Sequence, residues 1–220
     1  MLTETNVVAR QAQEDLFAAA AQSFEIDTSF ASAKRVDLDE RSWIEIVPNW
    51  MSGPQILFDR MMQVVPWREH DRKMFDKVFR EPRMTAAYRT LGEVPDIGLR
   101  EAVTALTNHY EVAYDGIWMN LYRRGEDSTG WHRDHPECRK LECVVPVLTL
   151  GATRKFQIKP YRGGRSLTFK PSSGDLIVMG GRCQQDWVHC VPKEPGIPGA
   201  RISVNFQASS QAIREPAKPT

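Results

Sequence analysis

Apolar and polar positions along the 220-residue chain change their period part-way. In the first half the pattern is mixed. Residues 43–47 (Trp43, Ile44, Glu45, Ile46, Val47) alternate with period two and predict a strand. Pro54 then opens a stretch to Val64 whose apolar residues, Leu57, Phe58 and Met61 among them, recur at helical spacing. Leu99, Val103, Leu106 and Tyr110 repeat the same stripe and predict a second helix over 97–110. Residues 6–24 contain an alanine-rich run that favours helix but carries only a weak apolar stripe, so a peripheral helix or loosely held arm is expected there.

Beyond Asp115 short runs rich in aromatic, valine, isoleucine and threonine residues alternate with glycine and proline. They predict strands over 116–123, 143–150, 155–159, 166–170, 175–179, 187–191 and 201–207, most of them separated by glycine-containing turns. Short strands at near-even spacing argue for a barrel or two-sheet jelly roll, in which distant strands converge on one cavity. The length suits one catalytic domain. It divides into an arm or helical extension over 1–42, a strand and helix region over 43–112, the strand-rich core over 113–208 and a polar tail over 209–220.

Charge and cysteine content narrow the picture little. The formal net charge is +1, so attraction to a polyanion would need a local basic surface. Residues 66–90 offer a mixture of basic and aromatic side chains, diluted by Glu69, Asp71, Asp76 and Glu81; a solvated face and a nucleic-acid contact are both compatible with it. No run approaches the roughly 20 apolar residues of a membrane-spanning helix and the first residues lack the order of a secretory signal, so a cytoplasmic monomer without membrane contact is expected. Cys138, Cys143, Cys183 and Cys190 lack CxxC spacing; reduced packing thiols are expected, with a four-cysteine zinc site as the alternative.

The candidate chemistry lies in the strand-rich half. His132 and Asp134 are two residues apart, which on an extended segment points both side chains to one face. A third ligand, His189, falls on a separate candidate strand able to return to the same cavity. Two imidazoles and a carboxylate on one triangular face leave positions open, the arrangement by which iron(II) takes a chelating 2-oxo acid and then oxygen. Arg201 opens the last candidate strand, and its guanidinium can grip a remote carboxylate with two parallel hydrogen bonds; otherwise it would be a surface ion pair.

From about residue 43 to 207 the chain resembles the AlkB family of iron(II) and 2-oxoglutarate-dependent dioxygenases, many of which remove alkyl groups from nucleic-acid bases. The resemblance rests on the ordered set NLY at 120–122, WHRD at 131–134, LTLG at 148–151, GDLIVMGG at 174–181, WVH at 187–189 and RISVNFQ at 201–207. It implies an α+β fold, a double-stranded beta-helix (jelly roll) core with N-terminal helices and a base-binding lid. It also implies Fe(II) as cofactor, with 2-oxoglutarate and O2 as cosubstrates. Asn120, Tyr122 and, on the last strand, Ser203 and Gln207 would join Arg201 around 2-oxoglutarate. The segment from Glu81 to Tyr88 would form the lid, with Arg83 contacting phosphate or base, Tyr88 lining the pocket, and Trp131 and His135 also facing substrate.

Two departures from the family pattern stand out. Gln207 occupies the place of a second arginine and cannot make its ion pair, and His135, Pro136 and Glu137 follow Asp134 where many members place an acidic residue. The implied activity is oxidative dealkylation of N-alkylated bases in DNA or RNA, on a single strand or a flipped base, with release of aldehyde, succinate and CO2. A protein or small-molecule hydroxylase is the alternative, and a jelly roll that binds nucleic acid or metal without turnover is a third.

Overall fold

The strand-rich half folds as its alternation predicts, into two sheets that face each other. The computed structural model describes residues 23–74, 77–134, 138 and 142–209. In chain order the strands are β1 (Glu25–Ile26), β2 (Lys34–Asp37), β3 (Ser42–Val47), β4 (Met51–Ser52), β5 (Arg68–Met74), β6 (Lys77–Tyr88), β7 (Gly116–Tyr122), β8 (Thr129–His132), β9 (Val145–Gly151), β10 (Phe156–Pro160), β11 (Leu167–Phe169), β12 (Leu176–Gly181), β13 (Trp187–Val191) and β14 (Arg201–Gln207). Helices α1 (Pro54–Val64), α2 (Ile97–Tyr110) and the short α3 (Cys183–Asp186), with a single 3-10 turn at Leu91–Glu93, complete the described elements. The larger sheet has the order β2-β3-β12-β9-β14-β7-β6-β5 and the smaller one β11-β10-β13-β8, while β1 pairs with β4. No helix among the described residues is long and apolar enough to cross a membrane.

Period-two alternation separates the faces of the larger sheet. Ile117, Met119 and Leu121 of β7, Leu148 and Leu150 of β9, and Ile202, Val204 and Phe206 of β14 share one core with Leu57 and Met61 of α1 and with Leu99, Val103 and Leu106 of α2. Each large apolar side chain buried there stabilises the fold by roughly 1.5–3 kcal/mol. The intervening residues, Trp118, Asn120 and Tyr122, and Arg201, Ser203 and Asn205, line the cavity on the other face. A second core between the sheets joins Val145, Val147, Ile177 and Met179 to Phe156, Ile158 and Trp187 of the smaller sheet.

Helix boundaries follow local chemistry. Pro54 starts α1 after Gly53, which has a left-handed backbone. Asp96 accepts a hydrogen bond from the Gly98 amide at the start of α2, and Glu111 closes that helix with φ of 57°. Gly151 ends β9 with φ of 82°, and a Cβ there would lie 2.4 Å from the Ala200 carbonyl, so only glycine lets β9 and the entry to β14 approach so closely.

Two sequence expectations are corrected. Residues 23–42 are not helical: β2 caps the edge of the larger sheet by pairing with β3, and β1 pairs with β4, because sheet edges need partners for their backbone groups. The alanine-rich run itself, apart from residues 23 and 24, lies outside the described residues, as does the tail beyond residue 209. In the charged segment 66–90, β5 and β6 pair antiparallel and β6 pairs with β7, extending the larger sheet, while Arg68, Glu69, His70, Asp71 and Arg80 stay exposed. The cysteines are not all reduced either. Cys138 and Cys143 are joined as a disulfide, their Cα atoms 5.6 Å apart, within the span one bridge can close; Cys183 and Cys190 are free and buried, so the four do not form a zinc site.

Candidate active site

The cavity between the sheets has a volume of about 250 Å³. The smaller sheet supplies its metal-ligating wall. Cross-strand pairing sets His132 of β8 directly opposite His189 of β13, and a register irregularity follows between His189 and Val191. Asp134 sits just past the end of β8. The Nε2 atoms of His132 and His189 lie 3.4 and 3.5 Å from the two carboxylate oxygens of Asp134. One ligand atom from each of the three residues falls within 4.8 Å of the others.

Hydrogen bonds orient these ligands. His132 Nδ1 lies 2.9 Å from the Gly130 carbonyl; with its proton donated there, Nε2 keeps a lone pair for a metal. The Gln184 amide donates to Asp134 Oδ2 at 3.0 Å and accepts the Asp134 backbone N–H at 2.8 Å, fixing the carboxylate. Phe156 stacks on His189 with ring centroids 5.4 Å apart. Burial disfavours the charged form of all three residues, but not with the same result. It holds His189 below its ordinary pKa despite the nearby Asp134 charge. In Asp134 the opposing charge of His189 and hydrogen bonds from both imidazoles outweigh burial and keep the carboxyl well below the usual range. In His132, less enclosed, the bond and charge of Asp134 outweigh burial and raise the pKa. An ionised carboxylate and a neutral His189 are the forms a divalent metal takes.

Across the cavity stands Arg201, with 1% of its surface exposed. Its Nη2 donates to Thr149 Oγ1 at 3.1 Å, while Nε and Nη1 have no hydrogen-bond partner. Burial lowers its pKa, and Tyr122 presents its ring to the guanidinium at 5.5 Å. A buried guanidinium with two unmatched donors is costly until an anion meets it. The donor set therefore fits the two groups the fold implies: a 2-His-1-carboxylate triad for iron(II), and a cation for the far carboxylate of a 2-oxo diacid.

The remaining expected residues divide by strand face. Asn120, Tyr122, Ser203, Gln207 and Arg83 line the cavity. Tyr122 shares a hydrogen bond with Thr129 at 2.8 Å. Tyr88 does not line it: five positions after Arg83 on the same strand, it falls on the opposite face with Met84 and Ala86 and packs on the helix-side core. Trp131 is also outside the cavity lining, 42% exposed with the Lys159 ammonium 4.3 Å from its ring centre. His135 lies outside the described residues.

Three contributors escaped the sequence reading. Gln184 lies on α3 with no motif to mark it. Thr149 was visible only as part of LTLG. Arg154, fully buried, donates to the carbonyls of Arg124, Gly125, Asp127 and Pro192 at 2.8–3.1 Å and pairs with Glu194 at 3.2 Å, tying the loop before β8 to the segment after β13. It thereby fixes the two metal-bearing strands relative to each other, and in sequence it reads as an ordinary turn cation.

The sequence profile of the 2OG-Fe(II) oxygenase superfamily matches residues 97–206. The chain belongs to that superfamily. Its similarity to AlkB proteins is shown by curated relatives. It is 27% identical to "Alpha-ketoglutarate-dependent dioxygenase alkB homolog 3" of Bos taurus, covering 69% of this chain and 60% of that protein. The Rattus norvegicus homolog 3 is 27% identical over 93% of this chain and 74% of its own length. "DNA oxidative demethylase ALKBH2" of Arabidopsis thaliana is 23% identical, covering 80% and 69%. The chain thus spans about 60% of the bovine relative's length. Two solved structures share the superfamily fold: an oxidoreductase of the 2OG-Fe(II) oxygenase family from Burkholderia pseudomallei (TM-score 0.53, 14% identity, covering 76% of this chain and 86% of that one) and OsALKBH1 (0.54, 12%, 74% and 97%). At these identities they show the fold alone.

Proposed function

We propose that this chain is an iron(II)- and 2-oxoglutarate-dependent dioxygenase that removes alkyl groups from N-alkylated bases of DNA or RNA. The observation that carries the reading is the pairing, in one cavity, of the His132, Asp134, His189 triad with the unmatched guanidinium of Arg201. The first would hold the metal and the second the cosubstrate. When bound, iron(II) together with 2-oxoglutarate and dioxygen supplies an oxidant for an N-alkyl C–H bond, and the products are aldehyde, succinate, CO2 and the restored base.

The chain's own residues bind, orient and exclude water. Arg201 neutralises the carboxylate, with Thr149 holding its Nη2. Asn120, Ser203 and Gln207 present neutral polar groups along the same face, so cosubstrate charge rests on Arg201 and the metal rather than on a second arginine at 207. Val145, Val147, Phe156, Met179 and Val191 add an apolar portion to the wall, which limits water around the metal ligands. A base inside a duplex cannot reach a cavity enclosed in this way, so the substrate is a single strand or a flipped nucleotide; flipping costs a few kcal/mol and less for a weakly paired, alkylated base. The AlkB homologue names of the relatives support the nucleic-acid substrate.

The test is reconstitution under anaerobic conditions with iron(II), 2-oxoglutarate and N-methylated single-stranded oligonucleotides, followed by admission of air and mass spectrometry. Loss of the methyl mass is the expected result, abolished by His132→Ala. Retention of every methyl group, with succinate formed only in response to a peptide or small molecule, would move the reaction to another substrate. Tight oligonucleotide binding with no 2-oxoglutarate consumption would reduce the chain to a binding protein.

A further inference from the structure

Arg83 is placed by sequence in the lid, where a phosphate or base contact is the natural expectation. Its side chain is committed elsewhere. Its Nε donates to Asn120 Oδ1 at 2.9 Å, its Nη2 pairs with Glu81 at 3.1 Å, and only 16% of the side chain is exposed. A guanidinium already neutralised by a carboxylate and largely enclosed attracts phosphate weakly.

What Arg83 does to Asn120 is specific. The Asn120 carbonyl oxygen also accepts the Trp118 indole N–H at 3.1 Å, and its Nδ2 donates to Ser203 Oγ at 3.0 Å. Two donors on one end of the amide and an acceptor at the other fix which way it faces. Cross-strand register puts Thr85, Asn120, Ser203 and Thr149 in one row of the sheet, with Tyr122 and Arg201 paired two residues along, in the next row on the same face. Asn120 thus stands on the cavity face one same-face step from the Tyr122–Arg201 pair, with its Nδ2 end turned toward the strand that carries Arg201. An amide free to rotate would also present its oxygen, which repels a carboxylate.

We propose that Arg83 is a cosubstrate-positioning residue: through its hydrogen bond to Asn120 it sets the amide so that Nδ2, rather than Oδ1, faces 2-oxoglutarate. This rests on the reading of the cavity as a 2-oxoglutarate site. The strand expected to meet nucleic acid thus carries a residue that acts on the cosubstrate instead.

The test is isothermal titration of the full chain, loaded with Mn(II) in place of iron, with 2-oxoglutarate. Wild type is compared with Arg83→Met, Asn120→Ala and the double variant, and Mn(II) affinity and oligonucleotide affinity without 2-oxoglutarate are measured on each. Arg83→Met is expected to weaken 2-oxoglutarate about tenfold, the order of one charge-assisted hydrogen bond. It should leave Mn(II) and oligonucleotide affinity unchanged. In the Asn120→Ala background the same substitution should have no further effect, because the group it positions is gone. Unchanged 2-oxoglutarate affinity with weakened oligonucleotide binding would return Arg83 to a substrate contact and overturn the proposal. An equal loss in the Asn120→Ala background, or a parallel loss of Mn(II) affinity, would overturn it as a general structural effect. A wild-type protein that binds no 2-oxoglutarate would overturn the functional reading and this proposal with it, whereas wild-type binding unaffected by Arg83→Met would overturn the proposal alone.

Discussion

Replacing Arg201 by Met should make the ligand-free protein more stable while removing its affinity for 2-oxoglutarate. The guanidinium is 1% exposed and leaves Nε and Nη1 without partners, its one hydrogen bond running to Thr149. A buried polar group left unpaired costs about 1–3 kcal/mol, and the Thr149 bond returns about 1 kcal/mol. Water reaching the cavity reduces the penalty, so the net relief is taken at the low end, about 1–2 kcal/mol. For a chain of this size that corresponds to a rise in Tm of about 2–8 °C. Two charge-assisted bonds to a carboxylate are worth about 1.5–3 kcal/mol each, so 2-oxoglutarate affinity should fall by about 100-fold or more. Thermal denaturation without ligand, then with Mn(II) and 2-oxoglutarate, reads both effects. At a hundredfold excess over Kd the wild type should gain about 2.7 kcal/mol and Arg201→Met almost nothing. A variant that melts below wild type without ligand, or that keeps the 2-oxoglutarate-dependent shift, would refute the view of Arg201 as a cation held in readiness for an anion.

Gln184→Leu removes both hydrogen bonds that orient Asp134 and should weaken Mn(II) binding about 10–100-fold, measured by competition with a chelating dye. Burial pushes the Cys183 thiol up to about 12, so at pH 8 iodoacetamide should label Cys183 only after unfolding, as read by peptide mass; rapid labelling of the native protein would contradict its burial beside Trp43. Glu194 is pushed up by burial but held below its ordinary value of 4.5 by bonds from the Lys155 amide and the Arg154 guanidinium, which sets the sign of its pH effect. Its stabilising contribution is fully present above that value and is lost as pH falls through the lower folded-state pKa. Urea denaturation between pH 7 and pH 3 should therefore show a shallower acid decline in Glu194→Gln than in wild type.

Much of the architecture was legible because burial imposes a period. The expected limits of α2 and β14 agree with the structure, and those of β7, β10 and β13 agree within a residue or so, since one face of each packs against an apolar core. The hairpin of β5 and β6 was hidden because its charged residues disguise the alternation, and β8 because four residues carry too short a pattern. Edge strands β1 and β2 were missed for a related reason: β2 is exposed along its whole length, so no apolar period marks it.

The site divides along the same line. Residue types and short spacings made His132 and Asp134 a pair and suggested His189 and Arg201 as partners, because ligand chemistry is local and strand period is two. Whether distant side chains share a cavity depends on register and strand order, and these arise only when the sheets pair. Register places His189 opposite His132, and the larger sheet gathers Asn120, Ser203 and Arg201 on the face that lines the cavity. The same parity turns Tyr88 away from the cavity, and the hydrogen-bond network commits Arg83 to Asn120. Gln184, Thr149 and Arg154 acquire their roles only there as well, since what each does depends on the atom it touches, and sequence order carries no record of that contact.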